Sequence, residues 1–213
     1  METEELFEQV NLQTLEDWKY LLLISKFGID EIETKLEIIN DEYIFLHDYN
    51  PIEHISTRIK TPENIVKKLT RMGVEPTAEN AHRYLSDIGG VRVTCSLIED
   101  IYTLSKLLQN QSDLKVLKSK DYVKNPKPNG YRSYHMILEV PVFLTDKVLP
   151  VKVEVQIRTI AMDLWASLEH KIYYKSDLQI PLSLKARLKH AADEMASIDQ
   201  ELCEIKSEIK KYV

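Results

Sequence analysis

Glycine is scarce in this chain, with five among 213 residues, and those five form neither a glycine-rich phosphate loop nor a dinucleotide fingerprint. Side chains must therefore do the holding if a nucleoside polyphosphate binds. Cysteine is scarcer still. Cys95 in a strand pattern and Cys203 in a helical one make neither a disulfide framework nor a zinc set, which leaves both as packing residues. No run of about 18 apolar residues occurs, and the first residues lack the basic start and apolar core of a secretory leader. The expectation is a soluble, cytoplasmic chain with no membrane contact. Positive charge is also short: a net charge of -6 and a pI near 5.6 exclude the broad basic surface of a non-specific nucleic-acid binder. No stable nucleic-acid partner is expected, and any polyanion has to be met locally.

With 44% hydrophobic residues, the chain is rich enough in apolar side chains for a sizeable core, and its length suits a single domain over 1–213. Apolar residues recur at helical spacing from Leu12 to Leu46, including Leu15, Trp18, Leu22, Ile32, Leu36 and Ile39, and Gly28 offers a break. Two N-terminal helices are expected within residues 1–50. Thr61 and Pro62 read as N-cap and first turn of a helix that Gly73 stops, and a short helix follows from Thr77 to Ser86. Strand patterns cover 91–97, 114–119, 133–140 and 151–159, with helices near 100–109 and 163–174. The result is an α+β domain, a mixed sheet of about five strands flanked by helices, with a core over 51–175. In the last segment, 176–213, Leu184, Leu188, Ala191, Met195, Ile198, Leu202, Ile205 and Ile209 alternate spacings of four and three. That heptad seam serves either packing on the chain's own domain or self-association.

The segment Leu149–Arg158 alternates cleanly, Val151, Val153, Val155 and Ile157 on one side and Lys152, Glu154, Gln156 and Arg158 on the other. An ordinary half-exposed strand has this pattern too, so the neighbours decide. The same rule applied to Arg92 and His135 gathers Arg92, His135, Glu154 and Gln156 on one sheet face, a mixed-charge cluster that is costly to leave unsatisfied. Asp87, just before its strand, is a second carboxylate able to join Glu154 around a divalent ion, and two carboxylates without thiolates suit magnesium over zinc. Arg58 and Lys60, followed by Lys68 and Arg71 on one helix face, form either a solvated cationic surface or a polyphosphate cradle. The loop from Lys120 to His135 presents Lys127 and Tyr131 before a strand; Tyr131 either stacks on a base or covers the core.

These fragments, taken together, are similar to one family. Arg58-Ile59-Lys60 with Lys68 and Arg71, Asp87-Ile88-Gly89-Gly90-Val91-Arg92, Gly130-Tyr131-Arg132-Ser133-Tyr134-His135, and Glu154-Val155-Gln156-Ile157-Arg158-Thr159 followed by Trp165-Ala166 and Glu169-His170 occur in order across residues 45–175. The ordered set resembles the synthetase domain of RelA/SpoT-type proteins, and in particular the single-domain small alarmone synthetases. The resemblance implies transfer of pyrophosphate from ATP to the ribose 3′-hydroxyl of GDP or GTP, giving (p)ppGpp, with Mg2+ as cofactor at Asp87 and Glu154. It implies Glu154 as general base, Arg58 and Arg92 on either face of adenine, and Lys60, Lys68 and Arg71 around the ATP phosphates. On the acceptor side it implies Tyr131 as platform for guanine, His135, Lys127 and Lys120 near phosphates or ribose, and Gln156 beside the acceptor. A homo-oligomer, a tetramer, is implied as well.

Two positions depart from the family's usual pattern. Lys120 stands where relatives often carry arginine, and Asp163 where some carry asparagine; a carboxylate at Asp163 accepts from both guanine N1–H and the N2 amino group. Glu169 and His170 support the same pocket by contact or by packing. His47-Asp48 is a decoy for the metal-binding His-Asp hydrolase site of long relatives, and synthesis without hydrolysis is expected. The competing readings are a related toxin acting on the tRNA 3′ end and an inactive nucleotide- or RNA-binding module.

Overall fold

Buried residues at spacings of three and four run from Leu21 through Ile24, Gly28, Ile32 and Leu36 to Ile39, with Ile29 beside them, so one helix face is continuous over this stretch. In the computed structural model, which describes residues 2–174, 181–209 and 211–212, that face belongs to a single helix α1 (Glu2–His47). The two N-terminal helices expected from the sequence are thereby corrected to one. Gly28 does not break it. A Cβ built there would lie 2.7 Å from Val151 Cγ1 and 3.1 Å from Val153 Cγ2, so the missing side chain lets α1 press against the sheet. Close packing outweighs the roughly 1 kcal/mol by which glycine disfavours a helix interior.

Strand β1 (His54–Ile59) leads to α2 (Pro62–Arg71), α3 (Ala78–Tyr84), β2 (Gly89–Cys95), α4 (Ile98–Gln109), β3 (Lys115–Asp121), β4 (Tyr134–Phe143), β5 (Val148–Thr159), α5 (Ile160–Tyr174) and α6 (Leu182–Ile209). The expected boundary near 175 lies outside the described residues. Helix α2 starts at the Thr61–Pro62 signal and ends beside Gly73, whose φ of 71° no other residue type adopts as readily. Thr77 caps α3 by accepting from the Asn80 amide at 3.1 Å.

The α+β expectation is borne out: the sheet has five strands in the order β1-β2-β5-β4-β3, with β2 and β5 parallel and the other pairs antiparallel. Its two faces differ in kind. Val91, Val93, Cys95, Met136, Leu138, Val153, Val155 and Ile157 point to one side and are all buried, and α1 contacts β2, β4 and β5 there. Fully burying each aliphatic side chain contributes about 1.5–3 kcal/mol. The alternate residues point into an open cleft.

Helix α6 seats the far end of the cleft. Thr159 Oγ1 donates to the buried Asp199 carboxylate at 2.6 Å and accepts from the Met162 amide, capping α5, while Trp165 Nε1 donates to Leu188 O at 2.9 Å. Gly130, at φ 93°, has no room for a Cβ, which would fall 2.5 Å from Ala192 Cβ. The loop before β4 is thus pinned on α6. The heptad seam divides in two: Leu188, Ala191 and Met195 are half-buried against the chain itself, whereas Ile198, Leu202, Ile205 and Ile209 are exposed.

Gly28→Val is expected to destabilise the fold by about 1–3 kcal/mol through overpacking against Val151 and Val153. Chemical denaturation measures this; an unchanged midpoint would mean that α1 does not rest on the sheet at Gly28.

Candidate active site

Strand register assembles the cleft in two rows. Arg58, Gly90, Glu154, Ile137 and Lys118 are successive cross-strand partners across the sheet, and so are Ser56, Arg92, Gln156, His135 and Lys120. Partners across a sheet share a face, so both rows project the same way. The expected grouping of Arg92, His135, Glu154 and Gln156 is therefore real. A register shift between Val116 and Lys118 adds one residue to β3. Without that bulge Lys118 would pair with Met136 and turn toward the core; with it, Lys118 and Lys120 both join the cleft.

Glu154 stands where two cavities meet. One, of about 120 Å³, is lined by Arg58, Gly90, Arg92 and Gln156; the other, of about 290 Å³, by Lys68, Asp87, Lys118, Lys120, Lys127 and His135; Glu154 lines both. Its Oε1 lies 3.4 Å from His135 Nδ1, its Oε2 accepts from Gln156 Nε2 at 2.8 Å, and Arg58 Nη2 is 4.0 Å away. Burial pushes the Glu154 carboxyl up and Asp87 adds to this, but the His135 and Gln156 interactions outweigh them and hold it below the usual glutamate range. It is ionised at neutral pH.

Asp87 sits on the loop between α3 and β2. Its Oδ2 accepts from Lys60 Nζ at 2.5 Å and Lys68 Nζ at 2.7 Å, while the buried Oδ1 has no hydrogen-bond partner among the described residues. Burial raises the Asp87 carboxyl, yet the two lysine hydrogen bonds prevail and it lies below its ordinary value. For Lys60, burial wins over Asp87 and lowers the ammonium. Arg71, exposed in the last turn of α2, lines neither cavity.

At the opposite wall, Tyr131 Oη lies 2.8 Å from His135 Nε2 and accepts from Arg158 Nη2 at 2.7 Å. Lys127 Nζ lies 4.5 Å from the Tyr131 ring centre and 4.9 Å from that of Tyr122, and Lys120 Nζ is 5.8 Å from Tyr122. Asp163, in the first turn of α5, places Oδ1 3.1 Å from Arg158 Nη1 and 3.4 Å from Arg92 Nη1. Glu169, one helical face further, accepts from Asn129 Nδ2 at 3.1 Å and ties the loop to α5. Burial lowers the Arg92 guanidinium, reinforced by nearby Arg158.

Two cleft residues escaped the sequence reading. Arg158 had a visible signal, the polar side of the alternating strand, whereas Lys118 depends on the bulge. The His47-Asp48 pair is local: His47 packs on Tyr43 at 4.3 Å between ring centres, and Asp48 leaves the helix at φ 50°.

A family described as "Region found in RelA / SpoT proteins" matches residues 57–179. The chain belongs to that family. It is 50% identical over 195 residues to the GTP pyrophosphokinase YwaC of Bacillus subtilis, covering 92% of this chain and 93% of that relative. The solved structure of small alarmone synthetase 2 from Bacillus subtilis superposes with a TM-score of 0.82 at 49% identity, over 90% of this chain and 99% of that one. Small alarmone synthetase 1 from the same organism, solved bound to its product pppGpp, gives a TM-score of 0.82 at 32% identity over 92% and 99% of the two chains. Such small alarmone synthetases carry the same five-stranded mixed sheet between long terminal helices.

The lowered Asp87 pKa has a consequence for this fold. A carboxyl depressed by folding adds stability above its unfolded pKa of about 3.9, and that stability is lost as pH falls through the folded value. Wild type is therefore expected to exceed Asp87→Asn in melting temperature at neutral pH, the gap closing below about pH 4. Melting curves across pH test this; a gap that stays constant into acid would remove the lysine pairs as its cause.

Proposed function

We propose that the cleft transfers the β,γ-pyrophosphate of ATP to the ribose 3′-hydroxyl of GDP or GTP, making (p)ppGpp in the stringent response, with Glu154 as general base. The observation that carries this reading is the position of Glu154, an ionised carboxylate shared by a cavity flanked by arginines and a cavity lined by lysines. A ribose hydroxyl is a poor nucleophile, and a carboxylate at its hydrogen accelerates attack by removing the proton. The hydroxyl oxygen bonds to the β-phosphorus of ATP, the bond from that phosphorus to the α,β-bridging oxygen breaks, and AMP leaves with that oxygen. The proton ends on Glu154.

The other side chains divide the binding. Arg58 and Arg92 hold the adenine, and Lys60, Lys68 and Arg71 serve the ATP phosphates. Tyr131 stacks on guanine, Asp163 reads its N1–H and N2 edge, and Glu169 supports that wall through Asn129. His135, Lys120 and Lys127 meet the acceptor's ribose and phosphates, with Gln156 alongside. The lysine cavity supplies the local positive charge that an acidic chain otherwise lacks.

The donor set suits magnesium. Asp87 Oδ1 is a buried carboxylate oxygen without a hydrogen-bond partner among the described residues, and Glu154 lines the same cavity, two hard oxygen donors of the kind this ion prefers. Asp87, shared with Glu154, would hold it, and when bound it neutralises charge on the transferred phosphates. Among the described residues no helix is long and apolar enough to cross a membrane, and we place the enzyme in the cytoplasm, where ATP and GTP are found. Residues 1–213 act as a single synthetase domain. Ile198 at 53%, Ile205 at 46% and Ile209 at 56% exposure form a half-exposed apolar stripe on α6, which supports a homo-oligomer, a tetramer by resemblance.

Label from ATP carrying a marked β-phosphate is expected to move, with magnesium present, onto GDP and GTP. Label on deacylated tRNA alone would establish the toxin reading, and none on any acceptor a binding module. Glu154→Gln is expected to cut transfer by about 10²–10⁴-fold while leaving ATP binding intact; retained turnover would remove Glu154 from the base role. Ile198→Asp with Ile205→Asp is expected to lower the particle mass in light scattering, since both side chains face away from the chain's own core; an unchanged mass would detach the stripe from assembly.

A further inference from the structure

Arg158 is the buried cation for which the reaction described above has no use. It is 4% exposed, on the polar side of β5. Burying a guanidinium is expensive unless its donors are matched, so its partners are informative. Nη1 donates to Asp163 Oδ1 at 3.1 Å, and Nη2 donates both to Tyr131 Oη at 2.7 Å and to Gln156 Oε1 at 2.6 Å.

From Nη2 two relays run to the same carboxylate. Along the first, Glu154 Oε1 only accepts, so His135 Nδ1, at 3.4 Å, carries the hydrogen. In that tautomer Nε2 is the accepting nitrogen, and its neighbour 2.8 Å away is the Tyr131 hydroxyl, which accepts from Arg158 and is placed to donate to the ring. Along the second, Arg158 binds Gln156 Oε1 and so fixes which way the amide points. Gln156 Nε2 is left facing Glu154 Oε2, to which it donates at 2.8 Å. Reversing the amide would set donor against donor at Arg158 and acceptor against acceptor at Glu154, and exchanging the ring tautomer would set a bare Nδ1 against the carboxylate. The five side chains close a ring in which every hydrogen bond points from Arg158 toward Glu154.

We propose that Arg158 is a positioning residue for the general base, orienting both oxygens of Glu154 through the Tyr131–His135 relay and through Gln156. This rests on Glu154 being that base. Asp163, which also lies 3.4 Å from Arg92 Nη1, anchors the guanidinium from the other side and joins the two walls of the cleft. Misplacing a catalytic group by an ångström costs on the order of 10²-fold in rate, so the effect falls on turnover.

Two measurements test this on the full chain. In imidazole nitrogen NMR of histidine-labelled protein, with His135→Gln identifying the resonance, wild-type His135 is expected as the Nδ1–H tautomer at neutral pH. A dominant Nε2–H tautomer would overturn the relay, whatever the activity proves to be. Kinetically, Arg158→Met and the charge-retaining Arg158→Lys are each expected to lower kcat by about 10–10²-fold, with KM for ATP within about twofold. Both are expected to mix the His135 tautomers. Loss confined to acceptor KM, with kcat and tautomer unchanged, would make Arg158 a substrate contact and end the proposal; if Arg158→Met does not fold, Arg158→Lys and the wild-type tautomer still decide. Absence of label transfer by wild type, in contrast, would refute the proposed reaction and leave the tautomer result standing.

Discussion

Parallel pairing of β2 with β5 brings Gly90 beside Glu154 and Arg92 beside Gln156, and the rest of the cleft hangs on that register. Because side chains alternate, slipping one strand by a residue would exchange its two faces. Glu154 and Gln156 would enter the core beside Leu138 and Val93, and Val155 would enter the cleft. Each buried carboxylate without a partner costs several kcal/mol, so the apolar face enforces the placement of the polar one. The same alternation that stabilises the sheet therefore aims the site. Gly28 adds to this by letting α1 press on Val151 and Val153, stiffening the strand that carries Glu154.

Inside the cleft, carboxylates and cations hold one another. Asp87 is matched by Lys60 and Lys68, Glu154 by His135 and Gln156, and Asp163 by Arg158 and Arg92. Partly buried ion pairs are weak contributors to net stability, since desolvation offsets much of the attraction. Their value lies in geometry. In the proposed reaction, phosphates reaching Lys60 and Lys68 would compete with Asp87 for the same ammonium groups, which would free that carboxylate to hold a divalent ion. Glu154 is different, because its two nearest partners are a ring nitrogen of His135 and the Gln156 amide, with the Arg58 guanidinium further off at 4.0 Å.

The sheet and its polar face were legible because period-two alternation is a local property: Arg92, His135, Glu154 and Gln156 could be placed together before any pairing was known. Order along the chain then let short fragments reinforce one another. Register irregularities were not legible. The bulge before Lys118 leaves no mark in composition, and it turns two lysines toward the cleft. Gly28 was read as a helix break because propensity is local, whereas its real use depends on valines more than 120 residues away in sequence. Arg158 was visible as a polar strand residue, but its importance comes from burial and from three acceptors on separate segments.

Helix α6 shows why a heptad pattern alone leaves its purpose open. Its inner face is occupied: Ala192 fills the place a side chain at Gly130 would take, and Asp199 holds the hydroxyl that caps α5. Its outer stripe of Ile198, Leu202, Ile205 and Ile209 stays about half exposed. A pattern of fours and threes reports apolar positions without saying which of two neighbours they meet. Because both the Gly130 loop and α5 rest on this helix, the wall bearing Tyr131, Asp163 and Glu169 is only as rigid as α6 is fixed. Any contact that buries the outer stripe would steady α6, and through Ala192 and Asp199 the wall of the cleft that bears Tyr131 and Asp163.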